Sequence, residues 1–267
     1  MPNFAVPDIS DDPTRCVHCR LVSSRSRAGF SKEGAALLAE EVYSRLRLSL
    51  MRAELLPHQR LKVRDLARSM GTSETPVREA LVQLARDGAV EIKPRFYIRV
   101  QRLSLADYVD IRDIRLELEP MAAERAMPHM RPADLARLEG LHDMLVDAEV
   151  RRDWRTALEA NRAFHFTMFE HARMPTLVQM LERLWMRVGP MLSELYPDAR
   201  PFYPDVHQHV AILHALKKRE AYALRMAVRL DLIEGGRNLL RRLSEMEGRQ
   251  FAQEAPSRTS PPTLALN

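Results

Sequence analysis

Glycine, aromatic residues and cysteine are scarce in this 267-residue chain, which has nine glycines, 6% Phe, Trp and Tyr, and two cysteines. So little glycine and aromatic content beside many Leu, Ala, Arg and Met argues against an extended sheet and for helix. Both cysteines, Cys16 and Cys19, lie in one Cys-x-x-Cys. A zinc ribbon needs a second such pair, so the motif reads as two incidental thiols, or as half of a metal site shared between subunits or a redox switch. No apolar run approaches the roughly 20 residues that span a bilayer, and the N-terminus lacks the apolar segment of about 7–15 residues that marks a secretion signal. The expectation is a cytoplasmic protein with no membrane partner. In that compartment a structural disulfide is disfavoured.

The 46% hydrophobic content suffices for one large core or two modest ones. The net charge of +5 permits a polyanionic partner. Its distribution says more: residues 31–100 hold 13 Lys and Arg against 9 Asp and Glu, so +4 of the total sits in the first third of the chain. A basic head on a near-neutral body is the footprint expected of a nucleic-acid binder.

The stretch from Val63 to Val100 organises that head. Val63, Leu66, Ala67 and Met70 recur at helical spacing up to Gly71. Thr72 or Ser73 can cap a second helix carrying Val77, Ala80, Leu81 and Leu84, with Pro76 in its first turn, where a missing N–H costs little. After Asp87-Gly88, two short extended runs, 89–93 and 96–100, flank Pro94 and Arg95. Helix, turn, helix and hairpin predict a winged helix-turn-helix. Ahead of it Leu38, Val42, Leu46 and Leu50 describe a first helix, closed by a turn at Pro57.

The runs Arg64-Asp65-Leu66-Ala67, Thr75-Pro76-Val77-Arg78-Glu79-Ala80-Leu81 and Leu84-Ala85-Arg86-Asp87-Gly88-Ala89-Val90 resemble the DNA-binding domain of the GntR family of bacterial transcription regulators. The resemblance implies DNA contacts from Arg64, from Ser73, Thr75 and Arg78 around the start of the recognition helix, and from the wing near Lys93 and Arg95. Three positions depart from the family pattern. Glu74 stands where an arginine is usual, a carboxylate that phosphates repel but that can accept from cytosine N4. His58 replaces the glycine usual after Pro57, and the wing tip Pro94-Arg95-Phe96-Tyr97 has no glycine.

From Ser104, a capping box opens a long helix with Ile111, Ile114 and Leu118 on one face. Further helices are expected from Pro132, from Asp153 to about His171, from Pro175, between Pro204 and Arg219, and from about Glu220 to Met246. The predicted fold is therefore mainly α: a winged helix-turn-helix with a small β-hairpin wing over 31–100, then an all-α bundle over 104–247. A flexible extension (1–30) and a Pro- and Ser-rich disordered tail (248–267) complete it.

Polar residues interrupt the apolar stripes of this bundle. Asn161 and His165 fall between Leu158 and Met168, His209 between Val206 and Leu213, and Asp231 between Val228 and Gly235. A turn near Arg219-Glu220 would bring His209 and Asp231 level, each being ten or eleven residues from it. Buried unpaired, such groups cost several kcal/mol, so they need a shared partner: either a hydrogen-bonded cluster or a divalent cation such as Zn²⁺, Ni²⁺ or Mn²⁺. Arg115 projects near the same stripe, either clamping an effector carboxylate or paired with Glu119 one turn on. His171, His207 and His214 read as surface or outer residues, His207 being on the wrong face.

Arg115-Leu116-Glu117-Leu118-Glu119, Asn161-Arg162-Ala163-Phe164-His165 and the run from Gln208 to Leu216 resemble the FCD effector domain of the FadR subfamily. Many such domains bind a metal through an Asp or Asn and three histidines. Asn161, His165 and His209 match that set, and Asp231 stands at the fourth position. The expectation is a homodimeric, ligand-responsive regulator, a repressor on a palindromic operator, that senses a small organic acid through a divalent metal. One rival keeps the head but gives the bundle a metal-free pocket for an acyl or apolar ligand. The other, a metal-dependent hydrolase, would need a general base beside the metal, and no His-Glu-x-x-His motif supplies one.

Overall fold

The computed structural model describes residues 32–254 apart from 202, 204 and 205. The predicted extension with Cys16 and Cys19, the expected helix start at Pro204, and the tail beyond Glu254 lie outside the described residues. The described residues form two compact units, one of 32–50 together with 55–101, the other of 51–54 together with the described residues from 102 to 254.

In the first unit, α1 (Lys32–Met51) buries Val42, Leu46 and Leu50. Helices α2 (Val63–Ser69) and α3 (Glu74–Arg86) follow. Between them Gly71 takes φ +65°, while its own N–H bonds Arg68 and that of Thr72 bonds Ala67 at 2.9 Å, the paired closure of a Schellman cap. Gly88, at φ +75°, ends α3 in the same way. Strands β1 (Val90–Lys93) and β2 (Tyr97–Val100) pair antiparallel, Val90 opposite Val100. Residues 58–61 also bond along β2, with Leu61 N–H meeting Ile98 carbonyl at 2.8 Å, so the hairpin has a third, irregular neighbour that the sequence does not announce. Two positions lacking the family's glycine still adopt the left-handed backbone that glycine favours, His58 at φ +62° and Arg95 at φ +65°.

The second unit is all helix among the described residues: α4 (Leu105–Ala126), α5 (Pro132–Arg151), α6 (Trp154–Glu170), α7 (Pro175–Leu192), α8 (Gln208–Lys218), α9 (Ala221–Gly235) and α10 (Arg237–Glu254). Ser104 opens α4 with the expected capping box, and Asp153 caps α6 through Thr156 N–H at 3.1 Å. Helix α4 packs on α6, α7 and α9, and α5 on α6 and α8. Phe164, Met168, Phe169, Leu181, Trp185 and Met186 are fully buried.

Three expectations are corrected. The helix expected from Glu220 to Met246 is broken in two, because consecutive glycines, Gly235 and Gly236, make its middle a weak helix former. Helix α10 then runs through Gly248 to Glu254, so residues 248–254 are not part of a disordered tail; one glycine in a helix costs only about 1 kcal/mol. On α4 the buried line is Ile111, Arg115 and Glu119, whereas Ile114 is 48% exposed. Helices on several sides of α4 enclose the polar pair, in which Arg115 donates to Glu119 Oε1 at 2.6 Å.

Candidate functional site

The first unit presents its cations to solvent around the start of α3. Arg64, on α2, and Arg78, on α3, are exposed and both reach Glu74, which accepts from Arg78 Nη2 at 2.8 Å and from Arg64 Nε at 3.5 Å. The Arg78 hydrogen bond holds the Glu74 carboxyl below its usual range. Ser73 is the N-cap of α3 but its hydroxyl makes no cap bond, which leaves it, with exposed Thr75, open to an outside partner. Lys93, Arg95 and Phe96 are exposed at the wing tip, the Lys93 ammonium 5.0 Å from the Phe96 ring centre. A helix of these dimensions with polar side chains at its N-terminal end fits a DNA major groove.

In the second unit the interrupted stripes converge. His165 comes from α6, His209 from the start of α8, and Asp231 from α9; all three are buried, and one ligand atom from each lies within 4.8 Å of the others. His165 Nε2 is 3.2 Å from Asp231 Oδ2 and 3.4 Å from His209 Nε2. Phe164 stacks on the His209 ring with centres 3.7 Å apart, which fixes its plane. Asn161 is half-buried one turn before His165 and lines the same pocket, as does Arg115.

Arg115 is buried and donates from Nε to Glu119 Oε1 at 2.6 Å. That oxygen also accepts from Trp185 Nε1 at 2.7 Å, and the guanidinium lies 4.4 Å from the Trp185 ring centre. The two readings of Arg115 thus coexist: it is ion-paired with Glu119 and it faces the pocket.

Burial sets the charge of the cluster. It pushes His209 well below its usual pKa and His207 down to about 4, so both imidazoles are neutral near pH 7. Asp231 goes the other way: burial alone would raise it, but the His165 hydrogen bond and the neighbouring imidazoles hold it far below the ordinary carboxylate range. Arg115 is paired with Glu119, and Asp231 is paired with His165. Among the described residues, neither Nδ1 of His165 nor Nδ1 of His209 has a hydrogen-bond partner. Two converging imidazole nitrogens and a buried carboxylate are a donor set that suits a borderline divalent cation.

Sequence reasoning misplaced one histidine and missed another. His207 lines the same pocket, its ring centre 4.2 Å from that of His209, because it sits at the N-cap of α8, where the helical period does not apply. His142, on α5, packs edge-on to His207 and His209, its own Nδ1 buried and without a hydrogen-bond partner among the described residues. His142, His207 and His209 also group within 4.8 Å. His207 Nδ1, however, accepts the His209 main-chain N–H at 3.1 Å, so its lone pair is committed and its proton sits on Nε2. The His165, His209 and Asp231 group is therefore the freer ligand set. His171 instead bonds Thr167 carbonyl through Nδ1 and pairs with Asp134, and His214 is exposed.

Comparison with known proteins agrees with both units. Residues 38–100 match the family model for bacterial regulatory proteins of the gntR family, and residues 110–233 match the FCD domain. The HTH-type transcriptional regulator McbR of Escherichia coli K12 is 34% identical over 188 residues, which cover 70% of this chain and 84% of McbR. The chain belongs to the GntR family. Other relatives of this GntR regulator include the E. coli K12 transcriptional repressor RspR, 26% identical over 73% of the chain and 86% of RspR. Among solved structures, E. coli McbR/YncC superposes with a TM-score of 0.66 at 30% identity, covering 80% of this chain and 98% of that one. A Rhodococcus sp. RHA1 GntR regulator shares the fold with a TM-score of 0.62 at 19% identity, over 76% and 97% of the two chains. The matched domains and relatives are transcription regulators, not enzymes. No described helix of this DNA-binding regulator is long and apolar enough to cross a membrane.

Proposed function

We propose that this GntR regulator is a cytoplasmic, homodimeric repressor that releases a palindromic operator when its FCD domain binds a small organic acid through a divalent cation. The observation that carries this reading is the meeting of His165 Nε2, His209 Nε2 and Asp231 Oδ2 beside a pocket lined by His165, Asp231 and Arg115. His165, His209 and Asp231, with Asn161 beside them, would hold the cation. A cation bound there supplies positive charge against the effector's carboxylate. Arg115 has its Nε committed to Glu119, leaving the two terminal nitrogens to grip the acid. In the head, Arg64, Ser73, Thr75 and Arg78 read and position the duplex, Glu74 selects at a cytosine, and Lys93 and Arg95 hold phosphates.

Support for the dimer comes from α9, where Tyr222, Met226, Leu230 and Ile233 form an exposed apolar stripe. An effector that binds one arrangement of the two heads better than the other shifts the population away from the operator-competent one. The test is a gel shift on the DNA upstream of the protein's own gene, with Zn²⁺, Ni²⁺ or Mn²⁺ and a panel of small organic acids. Specific retardation that an acid relieves only with metal, and that His165→Ala makes unresponsive, is expected. Retardation that no acid and metal combination relieves would overturn the sensing half, and absence of specific retardation would overturn the operator half.

A further inference from the structure

Asp231 and Gly235 lie one turn apart on the same face of α9. A side chain at Gly235 would place its Cβ 2.7 Å from the hydroxyl of Tyr203, closer than real Cβ contacts come. The absent side chain is what admits the phenol. The Tyr203 hydroxyl donates to Asp231 Oδ1 at 3.3 Å, while the opposite oxygen, Oδ2, lies 3.2 Å from His165 Nε2. An ionised carboxylate only accepts, so in this pair the phenol O–H is the donor. A carboxylate free to turn offers either oxygen to a ligand; one oxygen tied down leaves the other in a fixed place.

We propose that Tyr203, admitted by Gly235, is the positioning residue of the cation site, holding Oδ1 of Asp231 so that Oδ2 stands beside the Nε2 atoms of His165 and His209. This rests on the cation reading above. Outer partners that orient a ligating group are typically worth roughly 10- to 100-fold in metal affinity. Tyr203→Phe removes the hydroxyl and keeps the ring, whose centre lies 4.2 Å from that of His207. Gly235→Ala reaches the same end differently, by displacing the hydroxyl. When Gly235→Ala is combined with Tyr203→Phe, the nearest remaining atom to the new Cβ is the ring carbon Cζ at 3.6 Å, an ordinary contact, so the alanine should then do little.

The experiment titrates the full-length, chelator-stripped protein with Zn²⁺, Ni²⁺ and Mn²⁺ against a chromophoric chelator, and records metal-free melting of the same samples. Tyr203→Phe and Gly235→Ala should each weaken the cation by roughly 10- to 100-fold. The double variant should be no weaker than Tyr203→Phe, and the metal-free melting of Tyr203→Phe should stay near that of the parent. His165→Ala should abolish binding. Cation binding that is lost with His165→Ala but unchanged in Tyr203→Phe overturns the role of Tyr203 and leaves the cation reading standing. A parent protein that binds no cation, or a His165→Ala variant that binds as the parent does, overturns the cation reading and this inference with it. Should Tyr203→Phe fail to fold, Gly235→Ala alone decides: unchanged affinity sinks the proposal.

Discussion

Arg229 donates from Nη1 to the main-chain carbonyl of Leu116 at 2.8 Å, the carbonyl that Pro120 leaves without its helical partner. The same nitrogen bonds Glu117 at 2.7 Å, so α9 grips α4 where the α4 ladder has a gap. Arg229→Ala should lower the unfolding free energy by about 1–3 kcal/mol in urea titration, the cost of a buried polar group left unmet. With Pro120→Ala, residue 120 regains an N–H for Leu116. Arg229→Ala should then cost under about 1 kcal/mol, the worth of an exposed ion pair. Equal losses in both backgrounds would show that the gap and the arginine are unrelated.

Glu119 anchors the inner wall of the pocket. One of its oxygens serves both Arg115 and Trp185, and all three side chains are buried. Glu119→Ala strands a buried guanidinium and an indole N–H, and a loss of about 3–5 kcal/mol in chemical denaturation is expected. Glu119→Gln keeps an acceptor oxygen and should lose less. An alanine variant with parental stability would mean that Arg115 finds other support.

Glu74 between Arg64 and Arg78 gives the head a selectivity test. Replacing both arginines by alanine should cost about 1–3 kcal/mol of operator binding per contact, read by fluorescence anisotropy on operator and scrambled duplexes. Glu74→Gln removes a negative charge beside the two cations. It should raise affinity for scrambled DNA, narrowing the ratio between the two duplexes. A double-arginine variant that still grips the operator as selectively as the parent would place recognition elsewhere.

What was legible in the sequence was local. Gly71 and Gly88 mark turns because the backbone there needs positive φ, and Pro76 marks a first turn because it needs no N–H. That His209 and Asp231 come level followed from their similar distances, ten and eleven residues, to the turn at Arg219-Glu220. What was hidden depended on partners far along the chain. Periodicity gives no position to His207, which precedes its helix, and cannot show that His142, on α5, reaches the same cluster. Ile114 matched an apolar stripe yet is exposed, because the stripe that α4 buries is set by the helices around it. Tyr203 escaped notice because its importance rests on the missing side chain of a residue 32 positions on.

The exposed stripe on α9 leads to the last prediction. Tyr222 (78% exposed), Met226, Leu230 and Ile233 recur four, four and three residues apart, so they share one face. Single exposed apolar residues are ordinary, whereas a continuous stripe of them marks a surface that is covered in use. On the reading above, what covers it is a second copy. Met226→Glu with Leu230→Glu would set like charges against each other across a two-fold axis. The double variant should run as a monomer by size-exclusion light scattering. Its operator affinity should fall by roughly 10²–10⁴-fold, because a lone head keeps one half-site and loses the gain of linked binding. A variant that stays dimeric would move the interface to another face, and a parent that is monomeric at operator-binding concentrations would remove the need for one.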